Sequence, residues 1–387
     1  MGQETIWVAP QPLPSKTNTR LWKPPVSDIA SWSHHNPVRI VCAPLETIAH
    51  YIKAHHVLLV TTPGFVRRGM VQRVKDILAV HQVTVWDGVK PNPDLQDLDA
   101  ATKSLRGLNI GCVVGLGGGS ALDAAKVLAS TIPSPDGPTL LEVFRSKALT
   151  KWASRLPLVA IPTTSGTGAE VTPFATVWDH EEMKKYSLSG KFIYPDTALL
   201  DSTLTHSLNE KDTLYPALDA ASHALESLWN KNATPISQSL AVRALELFNE
   251  ALPPLLKDQN RLDCRKSMQI SSCLAGLAIS QTKTAIAHAI SYQLTLKYGI
   301  PHGLACSFTL PSLIGDFLNA THSIDKNTQS TLVKTKQLLL NLNLNQIIAP
   351  YIIKDFNSLY EINISSDRAG NYSGSLELRQ IIKDSIS

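Results

Sequence analysis

The sequence lacks the features that mark membrane, exported and disulfide-bonded proteins. No apolar run reaches the ~18 to 20 residues that a membrane-spanning helix requires, so we expect no membrane association. The first residues show neither the basic and apolar segments nor the cleavage site of an export signal, and we expect a cytoplasmic protein. The five cysteines are widely spaced and form no C-x-x-C pair, which argues against disulfides and against a thiolate metal site.

Strong charge of one sign is also missing. A net charge of +4 over 387 residues is too weak to indicate a nucleic-acid surface. The chain exceeds the ~100 to 200 residues of a usual domain, which predicts two lobes with a cleft between them. We therefore expect an enzyme with a small-molecule substrate. We also expect a homo-oligomer, namely a dimer.

The periodicity of apolar residues changes twice along the chain. Residues 1–36 show no sustained periodicity and predict an irregular arm. In residues 37–203, short apolar strands alternate with amphipathic helices, which is typical of a parallel sheet with helices on both faces. From 204 to 387 the pattern is helical, although the last ~60 residues carry little recognisable chemistry. The prediction is α/β plus all-α, with a boundary near residue 203.

A glycine cluster joins a buried strand to a strong helix. Gly117-Gly118-Gly119-Ser120 precedes a run that contains Asp123 in its first turn. Without Cβ atoms, glycines let backbone N–H groups approach a pyrophosphate at a helix start. The spacing is not G-x-G-x-x-G, so we expect a different phosphate loop. The alternative is a plain tight turn.

Four side chains could hold one metal ion. Asp219 and His223 are four residues apart, which places them on one face of a helix. His288 lies in a later helical stretch, and His302 lies in the turn that follows. Oxygen and imidazole donors without thiolate suit Fe(II) or Zn(II). The alternative is a surface ion pair with separately satisfied histidines.

Together these motifs resemble the iron-containing (group III) alcohol dehydrogenases over about residues 38 to 320. The family's GGGS-x-x-D-x-x-K loop matches Gly117 through Lys126, its IPTT-x-GT-x-x-E strand end matches Ile161 through Glu170, and its P-N-P turn matches 91–93. Its four metal ligands map onto Asp219, His223, His288 and His302.

The resemblance implies an N-terminal dinucleotide-binding parallel-sheet domain followed by an all-helical metal-binding domain. It also implies Fe(2+) or Zn(2+) with NADPH or NADH as cofactors, and hydride transfer to a small aldehyde. The candidate dinucleotide contacts are Thr62, Asn92, Gly118, Gly119, Ser120, Asp123, Thr163, Thr164, Thr167 and Lys185.

The sequence departs from the family at two positions. Tyr292 stands where many members carry a histidine credited with proton relay, so the proton path must differ. Thr62 replaces the acidic residue that would accept the ribose hydroxyls of NAD, and Arg67 and Arg68 follow. Without that carboxylate we expect NADPH to be accepted. The two arginines could equally form a solvated helix face.

The helix around His288 is similar to the phosphonoacetaldehyde reductase branch of the family. This implies reduction of phosphonoacetaldehyde to 2-hydroxyethylphosphonate, and we expect Lys283, about one turn before His288, to act in catalysis by holding the phosphonate. The alternative for Lys283 is an exposed helix lysine without a role in catalysis. The alternatives for the function are a general short-chain alcohol or diol dehydrogenase, a relative of dehydroquinate synthase or glycerol phosphate dehydrogenase, and a scaffold without catalysis.

Overall fold

The computed structural model describes residues 32–134, 136–146, 152, 154–182, 184–320, 324–352, 366–374 and 377–386. Most of the predicted arm, 1–36, lies outside these residues. The features below belong to the unit His34–Ser387.

The first half of this unit is built on strands. In chain order these are β1 (Arg39–Cys42), β2 (His56–Val60), β3 (Gln82–Trp86), β4 (Cys112–Gly117), β5 (Leu158–Pro162), β6 (Phe174–Asp179), β7 (Lys184–Ser189) and β8 (Thr197–Leu200). Six of them form a parallel sheet in the order β1-β8-β5-β4-β2-β3, while β6 and β7 pair as an antiparallel hairpin.

The middle strands of the sheet are mainly apolar and are covered on both faces. In the register, Val114 of β4 pairs with Leu59 on one side and with Val159 on the other. One face packs against a core that includes Leu98 and Leu128, and the other packs against a core that includes Leu45 and Val74. Continuous apolar strands are what a parallel sheet buried on both faces requires.

Short helices connect the strands. They are α1 (Pro63–Arg67), α2 (Met70–Ile77), α3 (Leu95–Leu105), α4 (Gly119–Thr131) and α5 (Leu140–Phe144), with 3-10 helices at Leu45–Tyr51, Ala169–Val171, Lys191–Ile193 and Ser202–Thr205. The carboxyl ends of β2, β4 and β5 therefore lie side by side at one edge of the sheet.

The second half is helical. Its helices are α6 (Glu210–Leu228), α7 (Pro235–Lys257), α8 (Leu262–Thr282), α9 (Ile286–Tyr298), α10 (His302–Ser307), α11 (Leu310–Ala320), α12 (Lys326–Asn341), α13 (Leu344–Ile352), α14 (Ser366–Ala369) and α15 (Leu378–Ile386). They enclose one apolar core that includes Leu225, Phe248 and Ile290. Among the described residues, no helix combines the length and apolar character needed to cross a bilayer.

The fold class predicted from the sequence, a parallel-sheet part followed by a helical part, is confirmed. Two local features differ from the prediction. The β6–β7 hairpin was not expected, and the helical stretch around His288 is not continuous. It breaks at Lys283, whose φ is 64°, so that α8 and α9 are separate helices.

Candidate metal and dinucleotide site

Three helices bring the four predicted metal ligands to one point. Asp219 and His223 lie one turn apart on α6, His288 lies in the first turn of α9, and His302 begins α10. The Asp219 Oδ1 atom is 3.7 Å from His223 Nε2, 3.4 Å from His288 Nε2 and 3.7 Å from His302 Nε2. The structure therefore gathers these four side chains around a single carboxylate oxygen.

The close packing of α10 on α6 depends on a glycine. A Cβ atom at Gly303 would overlap the Tyr215 carbonyl oxygen. Because residue 303 has no side chain, the start of α10 can approach the α6 backbone. This approach brings His302 to Asp219.

A buried carboxylate orients His288 from behind. Glu226 is fully buried, and its Oε2 lies 2.8 Å from His288 Nδ1. Glu226 also accepts hydrogen bonds from the backbone N–H groups of Ala285 and His288, at 2.8 and 3.1 Å. A carboxylate on one ring nitrogen fixes the tautomer and directs the other nitrogen to a metal.

Glu226 is not among the residues predicted from the sequence, although its spacing from Asp219 and His223 is a usable signal. Asp219, His223 and Glu226 follow the i, i+4, i+7 pattern of one helix face.

The charges of the cluster suit metal binding. Burial alone would raise the pKa of Asp219, but the facing imidazoles of His223, His288 and His302 hold it well below its usual range. Burial lowers the pKa of His223, and it lowers the pKa of His302 to about 3. Both rings are therefore neutral at pH 7, which is the form that donates a lone pair to a metal.

The pKa of His288 is shifted in the opposite direction. Burial would lower its pKa, but Glu226 and Asp219 raise the pKa above the ordinary histidine value. Its Nε2 atom is buried and has no hydrogen-bond partner among the described residues. Since a buried polar atom without a partner is costly, this nitrogen is suited to ligate a cation. The donor set fits a divalent metal such as Fe(II) or Zn(II).

A thiol also lies at this point. Cys306 Sγ is 3.6 Å from Asp219 Oδ1, and it belongs with Asp219, His288 and His302 to a group whose candidate ligand atoms all lie within 4.8 Å of one another. Burial, strengthened by Asp219, raises the pKa of this thiol well above its ordinary value. A protonated thiol donates to Asp219, so we do not count Cys306 as a ligand.

The glycine loop lies at the neighbouring edge of the sheet. Gly118 precedes α4, and a Cβ atom there would lie 3.3 Å from Thr164 Oγ1. A Cβ atom at Gly119 would lie 2.6 Å from Thr167 Cγ2. The absence of side chains therefore keeps the loop after β4 close to the loop after β5, with backbone N–H groups free at the start of α4.

The threonine loop after β5 joins the two halves of the site. The Thr163 N–H donates to the Gly117 carbonyl at 3.0 Å. Farther along, a Cβ at Gly166 would lie 2.6 Å from Pro216 Cβ, so the loop rests directly on α6. The predicted contacts Gly118, Gly119, Thr163, Thr164 and Thr167 are thus together, beside the helix that carries Asp219.

The remaining predicted dinucleotide contacts occupy different surroundings. Thr62 follows β2 at the same edge, and the exposed Asn92 donates its backbone N–H to Ser120 Oγ at 3.4 Å. Asp123 accepts from the Thr176 N–H at 2.9 Å, and burial raises its pKa. Its carboxylate joins α4 to β6, which is an internal use that the sequence did not indicate.

The Arg68 side chain lies near the glycine loop. Its Cζ atom is 4.6 Å from the centroid of the Phe65 ring. That ring lies 3.9 Å from the position that a Cβ on Gly117 would take. The guanidinium is exposed, so it is available to a ligand at this edge.

Tyr292 connects the metal ligands to two cations. Its ring lies parallel to that of His302, with centroids 6.1 Å apart. Lys185 Nζ is 3.8 Å from the centroid of the Tyr292 ring, and Arg368 Cζ is 4.8 Å from it. Loss of hydration, together with the nearby charge of Arg368, lowers the pKa of Lys185 to about 7. Burial raises the pKa of Tyr292 to about 12.

The expectation that Lys283 holds a substrate tail stays a prediction. Its side chain is exposed, because a left-handed backbone conformation at this residue ends α8. Within the described part of the chain, Lys185 and Arg368 lie on the Tyr292 ring, which is parallel to the His302 ring. Both cations are far from His288 and His302 in sequence. Arg368 belongs to the C-terminal stretch in which the sequence analysis found little chemistry, and no local pattern distinguishes it.

Comparison with known proteins identifies a family. Residues 37–202 match the family described as iron-containing alcohol dehydrogenase, and residues 213–355 match the C-terminal part of the Fe-containing alcohol dehydrogenase family. The chain is 37% identical over 232 residues to a probable alcohol dehydrogenase, EutG, from Escherichia coli, which is 60% of this chain and 58% of EutG. The match therefore spans less than two thirds of that relative.

Two relatives act on charged aldehydes according to their names. A phosphonoacetaldehyde reductase of Streptomyces viridochromogenes is 36% identical over 267 residues, covering 68% of this chain and 67% of the relative. The crystal structure of a sulfoacetaldehyde reductase from Bifidobacterium kashiwanohense in complex with NAD+ superposes with a TM-score of 0.78 at 27% identity. That superposition covers 92% of this chain and 98% of the other.

Proposed function

The chain belongs to the iron-containing alcohol dehydrogenase family, and from this premise we propose that it transfers a hydride between NAD(P)H and a small aldehyde. The observation that carries this proposal is the convergence of Asp219, His223, His288 and His302 beside the glycine loop. The family match favours this activity over that of a dehydroquinate synthase.

The side chains divide the work. When bound, a divalent ion would supply Lewis-acid polarisation of the carbonyl oxygen, and the dinucleotide would supply the hydride. Asp219 and the three imidazoles hold the ion, and Glu226 keeps the His288 ring in its orientation. The loop from Gly117 to Ser120 binds the pyrophosphate through backbone N–H groups. The Tyr292 ring lies beside that of His302.

NADPH is the cofactor we favour. Thr62 places no carboxylate against a 2′-phosphate, and Arg68 lies over Phe65 beside the glycine loop. A guanidinium suits recognition of a phosphate dianion.

The substrate we favour is phosphonoacetaldehyde, which would be reduced to 2-hydroxyethylphosphonate. Similarity to a reductase named for this aldehyde supports it, as does the presence of two cations beside Tyr292. The second candidate is an uncharged short-chain alcohol or aldehyde, which the similarity to EutG favours.

A substrate panel tests the proposal. The metal-loaded protein is mixed with NADPH or NADH and with phosphonoacetaldehyde, propanal or butanal, and the loss of nicotinamide absorbance is followed. We expect turnover with both types of aldehyde, faster with phosphonoacetaldehyde. No turnover of any aldehyde by protein that retains one metal ion would contradict the assignment and favour a scaffold.

Dinucleotide binding and metal binding are assigned to successive parts of the chain. We place dinucleotide binding in residues 37–203 and metal binding in residues 204–387. The separate family matches to 37–202 and 213–355 support this division. The dimer and the cytoplasmic location stay predictions from the sequence, and sedimentation of the purified protein tests the dimer.

A further inference from the structure

The Arg368 guanidinium is held in place by α9 and the residues before it. Its Nη1 atom donates to Thr284 Oγ1 at 2.7 Å and to the Tyr292 hydroxyl. Asn371, in the same C-terminal segment, donates to the Thr284 carbonyl at 3.0 Å. These contacts fix the guanidinium before any ligand arrives, which reduces the entropy lost on binding.

This cation has no counter-ion within the described part of the chain. Its contacts use Nη1 alone, whereas a guanidinium has five N–H donors. The neighbouring charge is a second cation, Lys185, on the same tyrosine ring. The Tyr292 ring offsets part of this repulsion. An anion bound beside Tyr292 would offset the remaining repulsion between these two groups.

Arg368 lies near the metal ligands, with the Tyr292 ring between them. The Tyr292 ring that it contacts lies 6.1 Å from the His302 ring and 6.5 Å from the His288 ring. One aromatic ring therefore separates the guanidinium from the ligand cluster. A short aldehyde whose oxygen lies at the cluster could therefore reach the guanidinium with its tail.

We propose that Arg368 binds the anionic tail of the aldehyde and selects substrates that carry a tetrahedral oxyanion. This inference rests on the proposed function and assigns the role expected of Lys283 to a residue of the C-terminal segment. The planar fork of the guanidinium fits two oxygens of a phosphonate or a sulfonate. With Lys185 nearby, the phosphonate dianion is the better match.

Kinetics with three aldehydes test the assignment. In Arg368→Gln we expect the KM for phosphonoacetaldehyde to rise at least about tenfold, the loss of one charge-assisted hydrogen bond. The KM for sulfoacetaldehyde rises less, and kcat/KM for propanal stays within about twofold, since propanal has no tail to bind. Arg368→Lys recovers part of the loss. The control Arg379→Gln removes an exposed arginine of α15 and leaves all three values unchanged.

A binding measurement separates this inference from the activity. Calorimetric titration of the metal-loaded protein with ethylphosphonate gives a Kd that we expect to weaken in Arg368→Gln and to stay unchanged in Arg379→Gln. If Arg368→Gln does not fold, Thr284→Val removes one hydrogen-bond acceptor of the guanidinium, and it should raise the KM for phosphonoacetaldehyde alone.

Three results would overturn the role of Arg368. The first is an equal loss of kcat/KM on propanal and phosphonoacetaldehyde in Arg368→Gln, and the second is an unchanged ethylphosphonate Kd in that variant. The third is a KM for phosphonoacetaldehyde that rises in Lys283→Gln but not in Arg368→Gln. Absence of all turnover in the wild type contradicts the proposed function instead, and the calorimetry still decides the role of Arg368.

Discussion

The sheet edge and the helical pocket are prepared for their ligands in opposite ways. At the edge, Gly118 and Gly119 leave out side chains so that two loops approach and backbone N–H groups stay accessible. In the pocket, side chains from α6, α9 and α10 converge on Asp219. The edge is therefore sensitive to added volume, and the pocket is sensitive to lost donors.

The largest effect is expected from removing a donor from the pocket. His288→Ala deletes the nitrogen that lies 3.4 Å from Asp219 Oδ1 and leaves Glu226 without its imidazole partner. We expect turnover to fall about a thousandfold or more, because a Lewis-acid metal contributes several kcal/mol to such a reaction. Elemental analysis should show that bound metal falls in parallel. Full activity in a metal-free His288→Ala protein would rule out the metal site.

Added volume at the edge should leave the metal site intact. Gly118→Val places a side chain beside Thr164, and we expect the NADPH Kd to rise about a hundredfold as the pyrophosphate is displaced. The Kd is measured by fluorescence titration, with metal content determined on the same sample. Gly315→Ala, within α11, is the control and should change neither quantity. An unchanged Kd in folded Gly118→Val would mean that the loop is only structural.

A milder change in the pocket concerns the residue behind a ligand. Glu226→Gln keeps the shape of the side chain but removes the charge that raises the pKa of His288. We expect metal affinity to fall about ten- to a hundredfold, as for other partners of metal-bound histidines. Competition with a chelator measures this affinity. A variant that holds metal as tightly as the wild type would show that Glu226 serves only the backbone N–H groups of α9.

The smallest predicted effect belongs to the sheet edge. Arg68→Gln removes the exposed cation over Phe65, and we expect the preference for NADPH over NADH to fall by about tenfold or less, because the group is solvated. The ratio of the two kcat/KM values measures the preference. A wild-type preference for NADH of more than about a hundredfold would instead show that another group excludes the 2′-phosphate.

The contrast between the regions also explains what could be predicted from the sequence. The glycine loop and the Asp219–His223 pair are local patterns, because neighbouring residues form them with the period of one turn or one helix. The β6–β7 hairpin was missed because its turn, after Asp179, has none of the Gly or Asn residues that mark short hairpins.

Contacts between residues that are distant in sequence could not be predicted from such local patterns. Arg368 reaches Tyr292 from 76 residues away, and Lys185 reaches the same ring from a strand of the other half of the chain. The sequence argument for Lys283 used proximity to His288 along the chain. Because α8 ends before Lys283 and α9 begins at Ile286, Lys283 and His288 do not share one helix face.

The break at Lys283 has a consequence for stability. Its φ of 64° and ψ of 171° fall in a region that only glycine occupies without strain, which for other residues costs about 1 to 3 kcal/mol. The strained residue lies just before α9. There, the backbone N–H groups of Ala285 and His288 donate to Glu226. Lys283→Gly should therefore raise the thermal unfolding midpoint while metal content stays the same, because glycine adopts this backbone conformation without strain.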